Sequence, residues 1–240
     1  MTNHAVYLAF KVSGFGKMSN GIYVSIVIPT LNEADAIAET IEGVKKVMRG
    51  YSYEIIIVDS STDETPKIAK RHGARVLRYK GGKGGALIFG FKKAKGKIII
   101  SMDADLSNRP KELKLLIAGI EAGYDVCTGS RFLVGGGSED MPLIRKFGNK
   151  MFVHLVNLLF GSHYTDMCYG YRSFSRQALR ELHLKEYGFG IETEMNIKAQ
   201  KAHLRILEVP SFEKRRASGS GKLKTFRDGY VILSTILRNI

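Results

Sequence analysis

The chain has 240 residues, 44% hydrophobic and 25% charged, which is the composition of a globular protein large enough to bury a sizeable core. Its 37 Lys and Arg against 23 Asp and Glu give a net charge of +14, which favours a polyanionic partner such as a nucleotide, a phosphorylated substrate, nucleic acid or an anionic membrane. The sequence contains no run of about 18 apolar residues, so no membrane-spanning helix is predicted. Cys127 and Cys168 lack the spacing of metal or redox motifs, which favours a reducing environment.

Strands and helices alternate through the first half of the chain. Residues 1–21 lack a clean signal-peptide pattern, and we interpret them as an N-terminal extension. Short β-branched runs predict strands at 23–29, 53–61, 74–79, 97–106 and 124–132. Helical spacing predicts helices at 32–50, 63–73, 81–96 and 109–123. Because each strand is apolar along its length, we predict an α/β fold, a three-layer sandwich around a mainly parallel sheet.

The regular alternation stops after Phe132. A flexible stretch at 133–142 leads into a long amphipathic helix at 143–161. Two further helices are predicted at 191–203 and 223–240, with a strand at 204–216 between them. Internal repeats and low-complexity tracts are absent from the sequence. We therefore predict a single domain over residues 22–240, with a nucleotide-binding half at 22–132 and an acceptor-binding half at 133–240.

Polar clusters follow three of the predicted strands. Asn32-Glu33 comes after the first strand, Asp59-Ser60-Ser61 after the second, and Asp103-Ala104-Asp105 after the fourth. Ligands of open α/β sheets bind beyond the carboxyl ends of the strands. We therefore expect the three clusters to meet at one edge of the sheet.

Asp103 and Asp105 form the most informative cluster. Two carboxylates this close repel each other unless a cation lies nearby. Mg²⁺ or Mn²⁺, bound through one or two carboxylates plus substrate phosphates, would supply that cation. The alternative is that Asp103 caps the next helix or is solvated.

A glycine-rich stretch, "GGKGGA" at 81–86, precedes the third helix. Its spacing matches neither a P-loop nor the dinucleotide fingerprint. Its backbone amides could face an anion at a helix N-terminus, and a tight turn permitted by glycine is the other interpretation.

In this order, the motifs "IVIPTLNEADAI", "IIIVDSSTDET", "GKGGAL", "MDADLSNRP" and "GSRF" resemble the inverting family-two glycosyltransferases of the A-type fold. "RKFGN", "TDMCYGYRSFSR", "GFGIETEM" and "RRASGSGKLKTFRDG" are similar to the polyprenyl-phosphate sugar synthases, the group of dolichol-phosphate mannose synthase and its glucose-transferring relatives. The resemblance covers about residues 22–230. One departure concerns the position after Asp59, where the family often has a second aspartate and this chain has Ser60.

The resemblance implies a role for each matching residue. It implies a nucleoside pocket lined by Pro29, Asn32, Glu33 and Asp59, with Lys83 close by. It implies a divalent ion, Mg²⁺ or Mn²⁺, held on the donor diphosphate by Asp103 and Asp105. The acceptor phosphate would bind Arg131, Arg145 and Asn149, and the departing diphosphate would bind Arg216 with help from Arg215 and Lys222. Catalysis would then depend chiefly on Asp105, Arg131 and Arg216.

The implied reaction is transfer of a hexose from GDP-mannose or UDP-glucose to a polyprenyl or dolichyl monophosphate, with inversion. A phosphate monoester, whose second pKa is near ~6, needs no strong general base. A glycan hydroxyl, the alternative acceptor, would need one, and the candidates are Asp166, Glu192 and Glu194. The chemistry of arginine with phosphate favours the lipid phosphate.

A lipid acceptor implies a membrane surface as a partner. The segments 151–161 and 230–240 are apolar at helical spacing and either lie in the membrane interface or pack on the protein. We expect a peripheral protein on the cytoplasmic face of a membrane or in the cytoplasm, or a fragment of a longer protein. Nucleic acid is not expected as a partner, because acidic residues crowd the strand ends where it would dock.

Overall fold

A seven-stranded sheet forms the centre of the computed structural model, which describes residues 21–216 and 225–240. Its strands are β1 (Val24–Thr30), β2 (Tyr53–Asp59), β3 (Arg75–Arg78), β4 (Ile98–Ser101), β5 (Val126–Ser130), β7 (Arg172–Ser175) and β8 (Ile206–Pro210), with the short pair β6 (Gly137–Ser138) and β9 (Phe212–Glu213) lying apart. The order across the sheet is β3-β2-β1-β4-β7-β5-β8. Strands from both halves of the chain therefore share one sheet, and the single domain stays a prediction.

Helices cover both faces of the sheet. They are α1 (Ile37–Val47), α2 (Thr65–Arg71), α3 (Lys83–Lys93), α4 (Leu113–Glu121), α5 (Leu143–Phe160), α6 (Arg176–Glu181), α7 (Ile191–Lys201) and α8 (Thr225–Arg238). The apolar sides of α1 and α4 pack on one face of the sheet. Those of α3 and α7 pack on the other face. The predicted three-layer sandwich around a mainly parallel sheet is confirmed.

Strand β7 runs against its neighbours. It pairs antiparallel with both β4 and β5, whereas the other pairs in the sheet are parallel. Arg172, its first residue, pairs with Ser101, the last residue of β4, and with Thr128 in the middle of β5. The chain just before Arg172 therefore enters from the edge where parallel sheets bind ligands. The sequence pattern of residues 166–182 predicts no regular element.

A third apolar cluster joins α5, α7 and α8 beside the sheet. It contains Phe152 and Val156 from α5, Ile197 from α7, and Ile232 and Ile236 from α8. The opposite side of α5 exposes large apolar residues to solvent, namely Leu143, Ile144, Phe147, Met151, Leu158 and Leu159. Within the described residues, no helix combines the length and apolar character needed to span a bilayer.

Several predicted boundaries are wrong, and three of them lie next to candidate site residues. The fourth strand ends at Ser101 rather than 106, since the Asp103 amide donates to the Asn108 side chain instead of continuing the ladder. The first helix begins at Ile37 rather than 32, because Asn32 has a left-handed φ of 53°. The fifth strand ends at Ser130, which leaves Arg131 in the following turn.

Substitution of Gly90 by alanine should destabilise the protein. A Cβ there would clash with Val27 on β1 and approach Val58 on β2 within 2.8 Å, and both valines are fully buried. We expect Gly90→Ala to lower the free energy of unfolding in urea by about 1–3 kcal/mol.

Gly148→Ala is the matched control, since Gly148 also lies inside a helix but a Cβ placed there would meet no atom of the described residues within 4 Å. This variant should be neutral or gain up to about 1 kcal/mol from helix propensity. Equal losses in the two variants would contradict the packing of α3 on β1 and β2.

Candidate active site

A cleft of about 470 Å³ opens at the carboxyl ends of the parallel strands, between the sheet edge and helices α5 and α8. Among the residues that line it are Pro29, Glu33, Lys83, Asp103, Asp105, Arg131, Arg145, Asn149 and Arg216. Folding thus brings most of the sequence-predicted site residues around one cavity. Lys222 lies outside the described residues.

The Asp103–Asp105 pair sits on a tight turn after β4. Asp105 accepts hydrogen bonds from the Ser107 amide at 3.1 Å and the Ser107 hydroxyl at 2.6 Å. Between them, Leu106 adopts a left-handed φ of 66°, which is rare for a residue with a bulky side chain. Such backbone strain concentrates at functional sites and is held in place by surrounding contacts. Both carboxylates of the turn line the cleft.

Lys83, the first residue of α3, faces two carboxylates. Its Nζ lies 2.8 Å from Asp103 Oδ1 and 2.9 Å from Glu192 Oε1. Although burial disfavours the charged amine, these two carboxylates raise the pKa of Lys83 above its ordinary value. Lys83 is therefore a fixed positive charge beside the Asp103 carboxylate.

Arg216 contacts Asp105, the second carboxylate of the pair. Its Nη1 lies 3.5 Å from Asp105 Oδ2, and its Nε donates to Asp140 at 2.7 Å. Burial opposes the charge of this guanidinium, but Asp140 and Asp105 together raise its pKa. Arg216 thus bridges the carboxylate pair and the 133–142 segment.

Arg131 is held by two other carboxylates. Its Nε and Nη2 bind Asp166 at 2.7 and 2.9 Å in a bidentate pair, and its Nη1 lies 3.1 Å from Glu213. The guanidinium also stacks over the Tyr169 ring, 4.7 Å from its centre. The Asp166 side chain is 0% exposed and that of Arg131 only 9% exposed. The pair is therefore a buried one, in contrast to the surface ion pair that is common for arginine.

Asn149 and Arg145 lie four residues apart on α5 and share one face of the helix. The Asn149 carbonyl oxygen accepts from the Met167 and Cys168 amides, both at 3.1 Å. Its Nδ2 is buried and makes no hydrogen bond to any residue that the structure describes. An unsatisfied buried donor is costly, so this amide is suited to a ligand oxygen in the cleft.

Asp59 and Asn32 do not line the cleft in this structure. The Asp59 carboxylate is fully buried and is bound by the Thr30 hydroxyl at 2.8 Å and by Arg78. Ser60 lines the cleft beside it. Asn32 is exposed and accepts from the Thr62 amide at 2.9 Å, which ties the loops after β1 and β2 together.

The candidate general bases are all engaged. Asp166 binds Arg131, and Glu192 binds Lys83. Glu194 is not among the described residues that line the cleft. Its carboxylate accepts hydrogen bonds from the Lys185 and Glu186 amides and pairs with Lys198 at 2.8 Å.

Sequence reasoning missed three residues of the site. Glu213 and Asp140 pair with arginines of the cleft, and Arg78 occupies the Asp59 carboxylate. Glu213 lies 82 residues from Arg131, so no local pattern could have indicated the pairing. A basic residue at the end of the third predicted strand was the one available signal for Arg78.

Comparison with known proteins gives concordant matches. Residues 25–183 match the sequence profile described as glycosyl transferase family 2. The dolichol-phosphate mannosyltransferase of Pyrococcus furiosus is 31% identical over 210 residues, which cover 84% of this chain and 59% of that protein. The dolichyl-phosphate hexose transferase of Haloferax volcanii is 30% identical over 216 residues, covering 90% of this chain and 92% of that protein.

Solved structures show a shared fold. Glucosyl-3-phosphoglycerate synthase from Mycobacterium tuberculosis, crystallised with Mn²⁺, UDP and glucosyl-3-phosphoglycerate, matches with a TM-score of 0.73. The match covers 91% of this chain and 80% of that one at 22% sequence identity, which shows likeness of fold alone.

Breaking the buried pair of Arg131 should destabilise the protein. Asp166→Asn removes the bidentate one of the two carboxylates that balance an almost fully buried guanidinium and leaves Glu213 in place, so we expect a loss of up to about 3–5 kcal/mol in the free energy of urea unfolding.

Asp125→Asn is the control, since Asp125 also binds an arginine, Arg205, through two nitrogens, but that arginine side chain is 68% exposed. Its effect should be much smaller, because surface pairs contribute little. If both variants unfolded at the same urea concentration, the Arg131 pair would not be structural.

Proposed function

The chain belongs to glycosyl transferase family 2, and on that basis we propose that it moves a hexose from a nucleotide diphosphate sugar to a polyprenyl or dolichyl monophosphate, with inversion at the anomeric carbon. The observation that carries the proposal is one cleft lined both by the Asp103 and Asp105 carboxylates and by the guanidinium of Arg145 and the amide of Asn149, groups whose chemistry suits a phosphate. The names of the Pyrococcus furiosus and Haloferax volcanii relatives support this acceptor class.

The donor would bind where the loops after β1 and β2 meet the glycine loop. Pro29, Ser60 and Lys83 line this part of the cleft. The fold neighbour crystallised with UDP supports a nucleotide sugar as donor. We propose GDP-mannose or UDP-glucose as donor. The Asp59 carboxylate can accept a hydrogen bond from an N–H of the base if Arg78 releases one of its oxygens. The Ser60 hydroxyl lies beside it and can also bind the nucleoside.

A divalent cation fits the donor set at Asp103 and Asp105. Carboxylate oxygens are the ligands that Mg²⁺ and Mn²⁺ prefer, and such ions commonly combine one or two carboxylates with substrate phosphates. Within the described residues, no group of three His, Cys, Asp or Glu side chains could hold a metal alone, which agrees with a site completed by substrate. We propose that Asp103 and Asp105 hold the ion, which when bound would neutralise charge on the donor diphosphate.

The acceptor phosphate would lie against α5. The Asn149 Nδ2 offers a buried hydrogen-bond donor, and the Arg145 and Arg131 guanidinium groups offer positive charge in the same cleft. Arginine suits phosphate because its planar fork donates parallel hydrogen bonds. The three carboxylates that could activate a hydroxyl are held by cations or backbone amides, which favours an acceptor already ionised.

The proposed reaction is one in-line displacement. An acceptor phosphate oxygen supplies the electron pair for the new bond to the anomeric carbon, while the bond from that carbon to the donor diphosphate breaks and its electron pair leaves with the nucleoside diphosphate. No proton needs to move, because the phosphate monoester is mostly ionised at neutral pH. Arg216 stabilises the charge that develops on the leaving diphosphate, and Arg145 with Asn149 orients the attacking phosphate.

The exposed apolar side of α5 suits a membrane surface. It begins at the mouth of the cleft, where Ile144 is both half-exposed and a lining residue. Lys146 and Lys150 are exposed on the same helix and would meet anionic headgroups. We therefore propose peripheral binding to the cytoplasmic face of a membrane, which would bring the cleft to a lipid-linked phosphate.

Hexose transfer should require Asp105. In a panel of GDP-mannose and UDP-glucose with a short polyprenyl phosphate and Mn²⁺, we expect one donor to release nucleoside diphosphate and form the lipid-linked hexose. Asp105→Ala should reduce the rate by about a hundredfold or more, while its thermal unfolding stays close to that of the wild type.

Asp35→Ala, an exposed aspartate in the loop before α1, is the control and should retain the wild-type rate. Faster transfer to a glycan hydroxyl than to the polyprenyl phosphate would overturn the acceptor class. A wild-type rate in Asp105→Ala would overturn the role of the carboxylate pair.

Membrane binding should depend on the exposed side of α5. Leu143, which is 83% exposed, is replaced by glutamate, which places a negative charge where the helix would meet anionic lipid. We expect Leu143→Glu to lower co-flotation with phosphatidylglycerol-containing vesicles severalfold.

Leu115→Glu makes the same change on α4, where Leu115 is 46% exposed on a helix that packs elsewhere on the sheet. This control should float as the wild type does. Equal flotation of all three proteins would rule out the α5 surface as the membrane contact.

A further inference from the structure

Lys83 occupies a position between a proposed metal ligand and a third carboxylate. Its ammonium lies within 2.9 Å of both Asp103 and Glu192, whose side chains are 27% and 6% exposed. A Cβ on Gly170 would come within 3.2 Å of both Lys83 Nζ and Glu192 Oε1. The absence of a side chain at position 170 therefore makes room for this three-charge cluster.

The cluster sets a condition for cation binding. In this structure the Asp103 carboxylate faces the Lys83 ammonium, and the Asp105 carboxylate faces the Arg216 guanidinium. A divalent ion that approached the pair alone would meet two positive charges already in place. Since like charges at such short distances repel strongly in a partly buried site, binding of the ion alone is opposed.

A nucleoside diphosphate changes this balance. It brings negative oxygens into the cleft, and these offer the Lys83 ammonium a partner other than Asp103. Lysine suits such an exchange because its ammonium is a point charge on a flexible stem with three donors. Glu192, bound at 2.9 Å, keeps the ammonium inside the cleft when Asp103 is released.

We infer that Lys83 is a resident counter-ion whose transfer from Asp103 to the donor diphosphate makes nucleotide and divalent cation bind cooperatively. The inference rests on the proposed function, because it takes Asp103 and Asp105 as the ligands of the ion. Lys83 is then a positioning residue that couples the two ligands. By reciprocity, the ion tightens the nucleotide by the same factor as the nucleotide tightens the ion.

The test is the dissociation constant of Mn²⁺, measured by electron paramagnetic resonance of free Mn²⁺ with and without saturating UDP or GDP. In the wild type we expect the nucleotide to tighten Mn²⁺ binding by a factor within about 5–150. Lys83→Met should bind Mn²⁺ alone at least about fivefold more tightly than the wild type, and its nucleotide effect should shrink by a similar factor, because only the contribution of the diphosphate oxygens to the ion remains.

Two further variants keep the result interpretable. Lys83→Gln removes the charge but retains hydrogen bonding, and it should behave as Lys83→Met does, so that a folding defect in one variant is not decisive. Lys80→Met removes the same charge from an exposed position three residues away and should keep the wild-type coupling. Thermal unfolding of each variant verifies that the fold is intact.

The inference is tested by the coupling factor, which is the ratio of the Mn²⁺ dissociation constants without and with nucleotide. If both Lys83 variants bound Mn²⁺ alone as weakly as the wild type, or kept its full nucleotide effect, Lys83 would not be the counter-ion. A wild type that bound Mn²⁺ equally well with and without nucleotide would also overturn it, while leaving hexose transfer and the carboxylate pair in place. A wild type that bound no Mn²⁺ even with nucleotide would instead remove the proposed metal site, and the inference with it.

Discussion

Negative charge concentrated at one edge of a sheet is the constraint on which the rest of the structure depends. Six carboxylates among the described residues line the cleft and would repel one another in the absence of cations; they belong to Glu33, Asp103, Asp105, Asp140, Glu192 and Glu213. Lys83, Arg131 and Arg216 each contact two carboxylates. A lysine or arginine side chain that contacts two carboxylates can break one ion pair and keep the other. It therefore stays in the cleft and can bind a substrate oxygen. This arrangement fits substrates that carry their own negative charges, as a nucleotide diphosphate sugar and a lipid phosphate both do.

Helix α5 connects the cleft to the outside of the molecule. Its buried side carries Arg145 and Asn149 into the cleft and, farther along the helix, packs Phe152 and Val156 against α7 and α8, whereas the opposite side exposes apolar residues. A single helix with these two sides can hold a phosphate at the protein and leave an apolar chain at the surface. That geometry agrees with an acceptor whose head is ionic and whose tail stays in a bilayer.

The sequence by itself determined the elements whose signals are local. β-branched runs, helical spacing and glycine ends predicted the alternation that builds the mainly parallel sheet, and the polar residues after β1, β2 and β4 predicted the edge where the site lies. The motifs and their order along the chain indicated the glycosyltransferase family. These features depend on residues close together in the chain, where backbone periodicity and turn chemistry act directly.

The tertiary structure alone decided which charges meet. Strand β7 enters the sheet antiparallel between β4 and β5 and places Asp166 and Gly170 at the edge of the sheet, although no hydrophobic pattern distinguished this strand. Arg131 finds Asp166 35 residues away and Glu213 82 residues away, and Asp59 is buried under Arg78 rather than open to the cleft. Ion pairing depends on distance through space, which chain crossings set and local sequence does not encode.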